Sequence, residues 1–305
     1  DYNIDNYKTI DNLLSQSLIG VGFNEIMTNS ICSPEANQLS NKHTPVEIIN
    51  PQGVELSNLR VSLLPGMIET IAFNFNRQNK NLKLFEIGNT YQKIDKNNNE
   101  TRTLSIALCG EVFEESWLVN YNTDNFFYLK GVIDKLFRDL SLQINYNAEN
   151  DSNYSQKLSI NKGKETIGFM CELNKKILNK YSLDTKIYYA EIDISKIDVS
   201  KINTKYKEVS KFPSSRRDVS MILDSKINFD EIKRLSFSVD KNILKEVNLF
   251  DVYKDKEMGN DKKSYAVSFM FNDFKKTLTD KHIDQVMKKI MDKFIKELNA
   301  QIRDK

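Results

Sequence analysis

The sequence predicts an α+β protein built as two domains. Its 305 residues exceed what one hydrophobic core usually serves. Pairs of strand-like segments alternate with helical patterns, which favours antiparallel sheets covered by helices. The charge balance also changes sign: residues 1–205 hold 22 Lys and Arg against 25 Asp and Glu, whereas residues 206–305 hold 22 against 17. We therefore predict one domain at 1–205 and a second at 206–305.

Composition excludes several classes of protein. No apolar run reaches the roughly 18 to 20 residues of a membrane-spanning helix, and no signal-peptide pattern opens the chain. We expect a cytoplasmic protein with no membrane partner. The chain starts without methionine and soon enters an amphipathic pattern, from which we expect a piece of a longer polypeptide. Three cysteines and two histidines are scattered singly, so we predict no metal site and no thiol chemistry.

The first domain alternates helical and strand-like segments. A helix is predicted over 7–19 from apolar residues at helical spacing, and another begins near Leu64 because Pro65 suits a first helical turn. The predicted strands have alternating or continuous apolar residues and are separated by polar turns. These strands are "FNEIMTNSI", "LKLFEIGNTYQKI", "ETRTLSIALCGEV", "KLSIN", "ETIGFMCEL" and "KIYYAEIDIS". Further helices, "DNFFYLKGVIDKLFRDL" and "NKKILNKY", complete a helix-covered, mostly antiparallel sheet.

The second domain has a clearer order of elements. Its segments read strand, helix, strand, strand, helix, strand, which is the order of a ferredoxin-like βαββαβ fold. In such a fold both helices cover one face of the sheet and leave the other face open. The segments are "RRDVSMILD", "NFDEIKRLSF", "LKEVNLFDVYKD", "KKSYAVSFMFN", "TDKHIDQVMKKIMDKFIKELNA" and "QIR".

Strand alternation assigns side chains to the two faces of this second sheet. The predicted core side holds Val219, Met221, Leu223, Phe250, Val252, Val267, Phe269 and Phe271. The predicted open side holds Arg216, Asp218, Ser220, Ile222, Leu249, Asp251, Tyr253, Ser264, Ala266, Ser268 and Met270. One aromatic ring among small and polar residues fits a docking platform for unstacked RNA bases. It equally fits a face that packs on the first domain, and the pattern alone leaves both interpretations open.

No enzymatic site emerges from the residues. The "GVG" at 20–22 follows a helix rather than a strand, so it does not fit a phosphate-binding loop. The neighbouring carboxylates Glu114 and Glu115 fall in a predicted loop and point to no partner group. No nucleophile stands beside a base in the remaining motifs.

The ordered motifs resemble a known family. "SKFPSSRRDVSMILD", "LKEVNLFDVYKD", "KKSYAVSF" and "TLTDKHIDQVMKKI" resemble the ferredoxin-fold anticodon-binding domain of the bacterial phenylalanyl-tRNA synthetase β subunit. "GFNEIMTNSICSPE", "NPQGVELSNLRVSLLPGMIETIAFNFNR", "LKLFEIGNTYQK" and "DNFFYLKGVIDKL" resemble its synthetase-like module, which keeps a class II fold without the catalytic residues. The resemblance covers nearly the whole chain.

The resemblance implies a function. The family's ligase joins phenylalanine to tRNA(Phe) with ATP and magnesium as an (αβ)₂ assembly, in which the α subunit is catalytic. This chain would then be an inactive scaffold that binds no cofactor itself, pairs with the α subunit and recognises the anticodon. The family's editing and magnesium sites lie upstream of the part that this chain matches.

The resemblance also implies site residues. The family stacks the first anticodon base on a tyrosine beside an aspartate and a serine, which match Tyr253, Asp251 and Ser264. Strand alternation, independently, places Arg216 and Asp218 on the open face beside Asp251 and Tyr253 and Arg217 on the helix side. The alternative to an RNA contact is a salt bridge between Arg216 and one of these aspartates. The family's subunit-interface helix matches the segment that begins near Leu64. Its expected contact residues are Leu64, Met67, Ile68, Ile71 and Phe75.

Two other functions remain open at this point. A self-sufficient class II aminoacyl-tRNA synthetase would need ATP-clamping arginines, which "LKLFEIGNTYQKI" and "YLKGVIDKLFRDL" do not supply. A ferredoxin-like small-molecule-sensing module would need a ligand cleft at a domain interface.

Overall fold

The computed structural model describes residues 6–40, 44–95, 97–113, 117, 125–198, 208–254 and 261–303, with side chains from residue 10. Two compact units divide the chain, at 1–204 and 205–305, and each has its own hydrophobic core residues. Within the described ranges, no helix has the length and apolarity to cross a membrane. Glu114 and Glu115 lie outside these ranges.

The first unit is a sheet covered by helices on both faces. Its helices are α1 (Asn6–Ile19), α2 (Pro34–Asn37), α3 (Leu64–Phe75), α4 (Asn125–Asp139) and α5 (Lys175–Lys180). Its strands are β1 (Asn24–Glu25), β2 (Ile31–Cys32), β3 (Asn58–Leu59), β4 (Leu82–Ile94), β5 (Asn97–Cys109), β6 (Asn145–Ala148), β7 (Tyr154–Lys162), β8 (Glu165–Leu173) and β9 (Ile187–Asp193). Seven strands pair in the order β1-β4-β5-β9-β8-β7-β6, and β2 pairs with β3.

The pairing confirms the predicted architecture of helices on a mostly antiparallel sheet. Only the β1–β4 pair of the seven-stranded sheet is parallel among the described pairings. The predicted strand "FNEIMTNSI" is replaced by two short strands, β1 and β2. The sequence analysis did not predict β6, whose residues "NYNA" carry little apolar alternation.

Two apolar clusters lie on opposite faces of the large sheet. Helices α1 and α4 contribute to one cluster with residues such as Leu18 and Leu129. Helices α3 and α5 contribute to the other. Strand β4 contributes to both clusters. Phe85 belongs to the first and Leu84 to the second, because successive side chains of a strand point to opposite faces.

Helix α3 differs from its predicted role in one respect. Its residues Leu64, Met67, Ile68 and Ile71 are at most 1% exposed and pack on the sheet of their own unit, with Phe75 partly buried beside them. Side chains enclosed in this way are not available to a second subunit, so the expectation of a partner contact does not hold for those four residues. The outward side of the helix carries Glu69 and Phe73 instead.

The second unit has the predicted ferredoxin-like order. It comprises β10 (Ser215–Asp224), α6 (Phe229–Val239), β11 (Leu244–Tyr253), β12 (Lys262–Phe271), α7 (Asp280–Leu298) and β13 (Gln301–Arg303). The strands pair antiparallel in the order β11-β12-β10-β13. Both helices pack into one core through residues such as Leu235 and Phe294. The opposite face of the sheet, called the open face below, is covered by neither helix.

Arg217 marks the helix-covered side of β10. Its Nη2 donates to Asp280 Oδ1 at 2.6 Å and its Nε donates to Asp284 Oδ1 at 3.2 Å, both in the first turns of α7. These two carboxylates raise the pKa of the guanidinium above its ordinary value. The predicted orientation of Arg217 is the one observed.

Candidate nucleic-acid interface

The open face brings three of the predicted site residues into two neighbouring rows. Tyr253 lies opposite Ser264 across the β11–β12 pairing, and Asp251 lies opposite Ala266. Adjacent rows on one face are separated by two residues along a strand, roughly 7 Å. Asp251, Tyr253 and Ser264 therefore form one local cluster, as the resemblance implies.

The cluster combines an accessible ring with small neighbours. Tyr253 is 52% exposed, whereas Ser264 opposite it is buried. Ala266 and Ser268 continue the row of small side chains along β12. Small residues let a planar ligand approach the sheet closely, and a half-exposed tyrosine offers it a ring face.

Polar and charged side chains surround this cluster. Register places Ser220 opposite Arg303 and Ile222 opposite Gln301 at the β10–β13 edge. At the other edge, Asn248 lies opposite Ser268 on β12. Amide, hydroxyl, carboxylate and guanidinium groups on one face can pair with the donor and acceptor edges of nucleobases. The chemistry favours base contacts over a purely phosphate-binding surface, which would be uniformly basic.

Arg216 and Asp218 share the open face but not the Tyr253 cluster. Arg216 Nε donates to Asp218 Oδ1 at 2.8 Å, which is the salt bridge named above as the alternative to an RNA contact. In register, however, Arg216 lies opposite Met270 and Asp218 opposite Ser268, toward the far end of β12. They lie two strands away from β11, roughly 10 Å. Register thus separates the backbone of both residues from the Tyr253 cluster, whereas the Arg216 side chain extends to the ring of Phe250, the neighbour of Asp251. That all five residues share one site stays a prediction.

Strand β11 contains a bulge that simple alternation missed. Leu249 pairs with Val267 and Asp251 with Ala266, so two steps on β11 match one step on β12, and Phe250 is the extra residue. Leu249 packs against the core, contrary to its predicted place on the open face. Phe250, predicted in the core, is 50% exposed and its ring lies 5.2 Å from Arg216 Cζ on the open face. The exposed Val252 lies opposite the core residue Tyr265.

The sequence around the bulge does not reveal it. Apolar residues occupy 247, 249, 250 and 252, so 247–249 and 250–252 each fit a two-residue alternation. The pairing with β12 is what identifies Phe250 as the inserted residue.

The first unit offers a second candidate surface. An open cleft of about 920 Å³ lies beside α3 and is lined by residues that include Thr28, Cys32, Glu69 and Phe73. Arg60 also lines it but is 5% exposed and bound to Glu86 at 2.7 Å. Across the described residues, no group of three or more His, Cys, Asp and Glu side chains could hold a metal ion.

Comparisons with known proteins match both units. Residues 3–194 match the family model described as the phenylalanyl tRNA synthetase beta chain CLM domain, and residues 210–303 match the ferredoxin-fold anticodon binding domain. The chain is 33% identical to the phenylalanine–tRNA ligase beta subunit of Bacteroides fragilis and 34% identical to that of Bacteroides thetaiotaomicron. Each match covers 98% of this chain but 39% of the relative. The chain thus spans about two fifths of the length of these relatives.

Solved structures show a similar fold at low identity. The pyrrolysyl-tRNA synthetase of Desulfitobacterium hafniense superposes with a TM-score of 0.52 at 13% identity, covering 66% of this chain and 74% of that one. At this identity the likeness concerns the fold alone. The fold is that of a class II synthetase sheet, as predicted.

Proposed function

Because the chain belongs to the family of phenylalanine–tRNA ligase beta subunits, we propose that it pairs with a catalytic α subunit and binds the anticodon of tRNA(Phe). In this role it supports the ATP- and magnesium-dependent joining of phenylalanine to that tRNA in the cytoplasm, within an (αβ)₂ assembly. The main observation behind this proposal is the cluster of Tyr253, Asp251 and Ser264 on the open face. The matches do not favour a self-sufficient synthetase or a small-molecule sensor.

Most arginines of residues 1–205 are bound to partners within the chain, and this supports a non-catalytic role for the range. Four arginines occur in this range. Arg60 is bound to Glu86, Arg102 to Asp11 at 2.6 Å, and Arg77 lies 3.4 Å from the ring centroid of Phe73. An arginine held by an internal partner must release that partner before it can bind a nucleoside triphosphate. The cost of releasing three of the four argues against an ATP site built from them.

The anticodon role is tested at Tyr253 in the assembled ligase. Tyr253→Ala removes the ring and should lower kcat/KM for tRNA aminoacylation by about 5- to 150-fold, since a stacked base contributes ~1–3 kcal/mol. Tyr253→Phe keeps the ring and should stay within about threefold of the unsubstituted enzyme. ATP–pyrophosphate exchange, which needs no tRNA, should not change for either variant.

A matched control lies next to Tyr253 on the same strand. Val252 is also half exposed but lies opposite the core residue Tyr265. Val252→Ala should therefore leave aminoacylation unchanged. Unaltered tRNA kinetics for Tyr253→Ala would contradict the proposed anticodon contact. Separately, ATP–pyrophosphate exchange by this chain alone would contradict its non-catalytic role.

A further inference from the structure

The bulge in β11 places a second aromatic residue on the open face. Phe250 and Asp251 follow one another, yet both lie on this face, because the inserted residue interrupts alternation. The phenyl ring is 50% exposed. Between β11 and β10 runs β12, whose Ala266 and Ser268 are small enough for the ring to extend above them. The open face therefore carries two half-exposed rings, Phe250 and Tyr253.

Arg216 extends toward the ring from the other side of β12. Its Cζ lies 5.2 Å from the centroid of Phe250, within the range of a cation–π contact. Its Nε is occupied by Asp218 Oδ1 at 2.8 Å. In the described part of the chain, neither Nη atom of Arg216 donates a hydrogen bond within this unit. The guanidinium is thus held at one edge and beside one ring, while the Arg216 side chain stays 53% exposed.

An arrangement of this kind suits an unstacked base. A ring and a guanidinium plane are the two groups on which splayed RNA bases stack, and outward N–H groups can donate to a base or a phosphate. As an ion pair alone, exposed Arg216 and Asp218 contribute little to stability, ~0 to 1 kcal/mol.

We propose that Phe250 and Arg216 form a second base-stacking platform, which takes an unstacked nucleotide of the same RNA loop that Tyr253 binds. This inference rests on the proposed function. Tyr253 lies three residue steps along the strand from Phe250, roughly 10 Å. Bases stacked on each other are about 3.4 Å apart. The two rings therefore hold different, mutually unstacked bases. Asp218 acts as a positioning residue that orients Arg216.

The test measures stacking one nucleotide at a time. The full 305-residue chain is titrated, at low and stated ionic strength, with RNA stem-loops that carry the anticodon-arm sequence of tRNA(Phe). Each RNA has 2-aminopurine at one loop position, so its fluorescence reports the stacking of that base. We expect one position to respond to Tyr253→Ala and a different position to respond to Phe250→Ala. Phe250→Ala should also weaken binding by about 5- to 150-fold.

Three further variants separate stacking from other effects. Phe250→Tyr keeps a ring and should bind within about threefold of the unsubstituted chain, whereas Phe250→Leu keeps the apolar bulk but should bind as weakly as Phe250→Ala. Arg216→Lys keeps the charge but loses the plane, so it should alter the fluorescence at the Phe250 position.

A matched control outside the sheet is Phe274. It is 53% exposed and has Lys245 Nζ 4.8 Å from its ring centroid, yet it lies beyond the end of β12. Phe274→Ala should leave binding unchanged. If Tyr253→Ala weakens binding while Phe250→Ala behaves like Phe274→Ala, the second platform is overturned and the proposed function stands. If Tyr253→Ala and Phe250→Ala both bind like the unsubstituted chain, both are overturned.

Discussion

At the residue scale, a buried guanidinium determines which side chains can surround it. Arg60 Nη1 donates to Glu86 Oε1 at 2.7 Å and to Thr28 Oγ1 at 2.9 Å, and its Nε donates to the carbonyl of Asn89 at 2.9 Å. A buried charge is tolerated only when it is paired and hydrogen-bonded. The motif "FEIG" therefore has a structural role: Glu86 neutralises the charge, and Gly88 makes room for it.

Replacing Gly88 tests this close approach. A Cβ at Gly88 would overlap Arg60 Nη2, so Gly88→Ala must displace the guanidinium from its buried partners. We expect a loss of about 1–3 kcal/mol in the free energy of unfolding. Gly131, which is exposed in α4 with no atom near an added Cβ, is the control. Gly131→Ala should stabilise by about 0.5–1 kcal/mol. Urea denaturation measures both, and equal effects would contradict the interpretation.

A buried carboxyl group predicts a pH dependence. Glu191 accepts hydrogen bonds from Ser62 Oγ at 2.6 Å, from the Leu63 amide at 3.3 Å and from the Tyr189 hydroxyl. Burial nevertheless raises the pKa of Glu191 above its ordinary value. Between the unfolded and the raised folded pKa, the folded state holds more protons. Its stability therefore falls as pH rises through this window.

Glu191→Gln removes this titration while keeping an acceptor oxygen. Urea midpoints measured from pH 4 upward should fall less steeply with pH in the variant than in the unsubstituted chain. The difference between the two curves isolates Glu191 from the other titrating groups. A difference that does not change with pH would show that Glu191 does not titrate in this range.

At the element scale, most of the fold was predictable, and the exceptions have identifiable physical causes. Helices with a long apolar stripe, such as α4 and α7, were placed correctly because 3.6-residue periodicity is unambiguous over that length. The faces of β10 and β12 followed from alternation. The faces of β11 did not, because the bulge residue Phe250 shifts the alternation of side chains between the two faces for the residues before it. Asp251 and Tyr253 were assigned correctly, whereas Leu249 and Phe250 were exchanged.

Helix α3 shows a different limit of sequence reasoning. An apolar stripe identifies a buried side but not what buries it. The stripe of Ile68 and Ile71 packs on the helix's own sheet, so any partner must contact the opposite side. That side presents Phe73, which is 57% exposed and lies under the Arg77 guanidinium next to the open cleft. We therefore propose that Phe73, rather than the buried stripe, contacts the α subunit.

Substitution of Phe73 tests this assignment. Phe73→Asp should weaken assembly with the α subunit by at least about tenfold in Kd, because a buried apolar contact would be replaced by a charge. The folded chain should be little affected, since the residue is exposed. Phe127, which is 68% exposed on α4, provides the matched control. Sedimentation of the chain with the α subunit gives the readout. Equal assembly by Phe73→Asp and Phe127→Asp would contradict the proposal.

At the scale of the whole molecule, the chain forms two units with separate cores, and the proposed function gives them separate tasks. Residues 206–305 hold an excess of five positive charges, whereas residues 1–205 hold an excess of three negative charges. This asymmetry favours the second unit as the one that meets a polyanion. The element order of the ferredoxin-like unit could be predicted from periodicity. The internal partners of Arg60 and Arg102 could not be predicted, because Glu86 and Asp11 come from segments far away in the sequence and leave no local pattern.

Separate cores predict separate responses to core mutations. Phe269 is fully buried in the second unit and its ring lies 6.3 Å from that of Phe294, whereas Phe85 is fully buried in the first unit. Truncation of either to alanine should cost about 3–5 kcal/mol. Hydrogen exchange followed by mass spectrometry can locate the loss. Phe269→Ala should speed exchange in peptides from 215–303 and leave 64–109 protected, and Phe85→Ala should do the reverse. Equal loss of protection in both regions for either variant would show that the two units unfold together, since local stability would then not follow the local core.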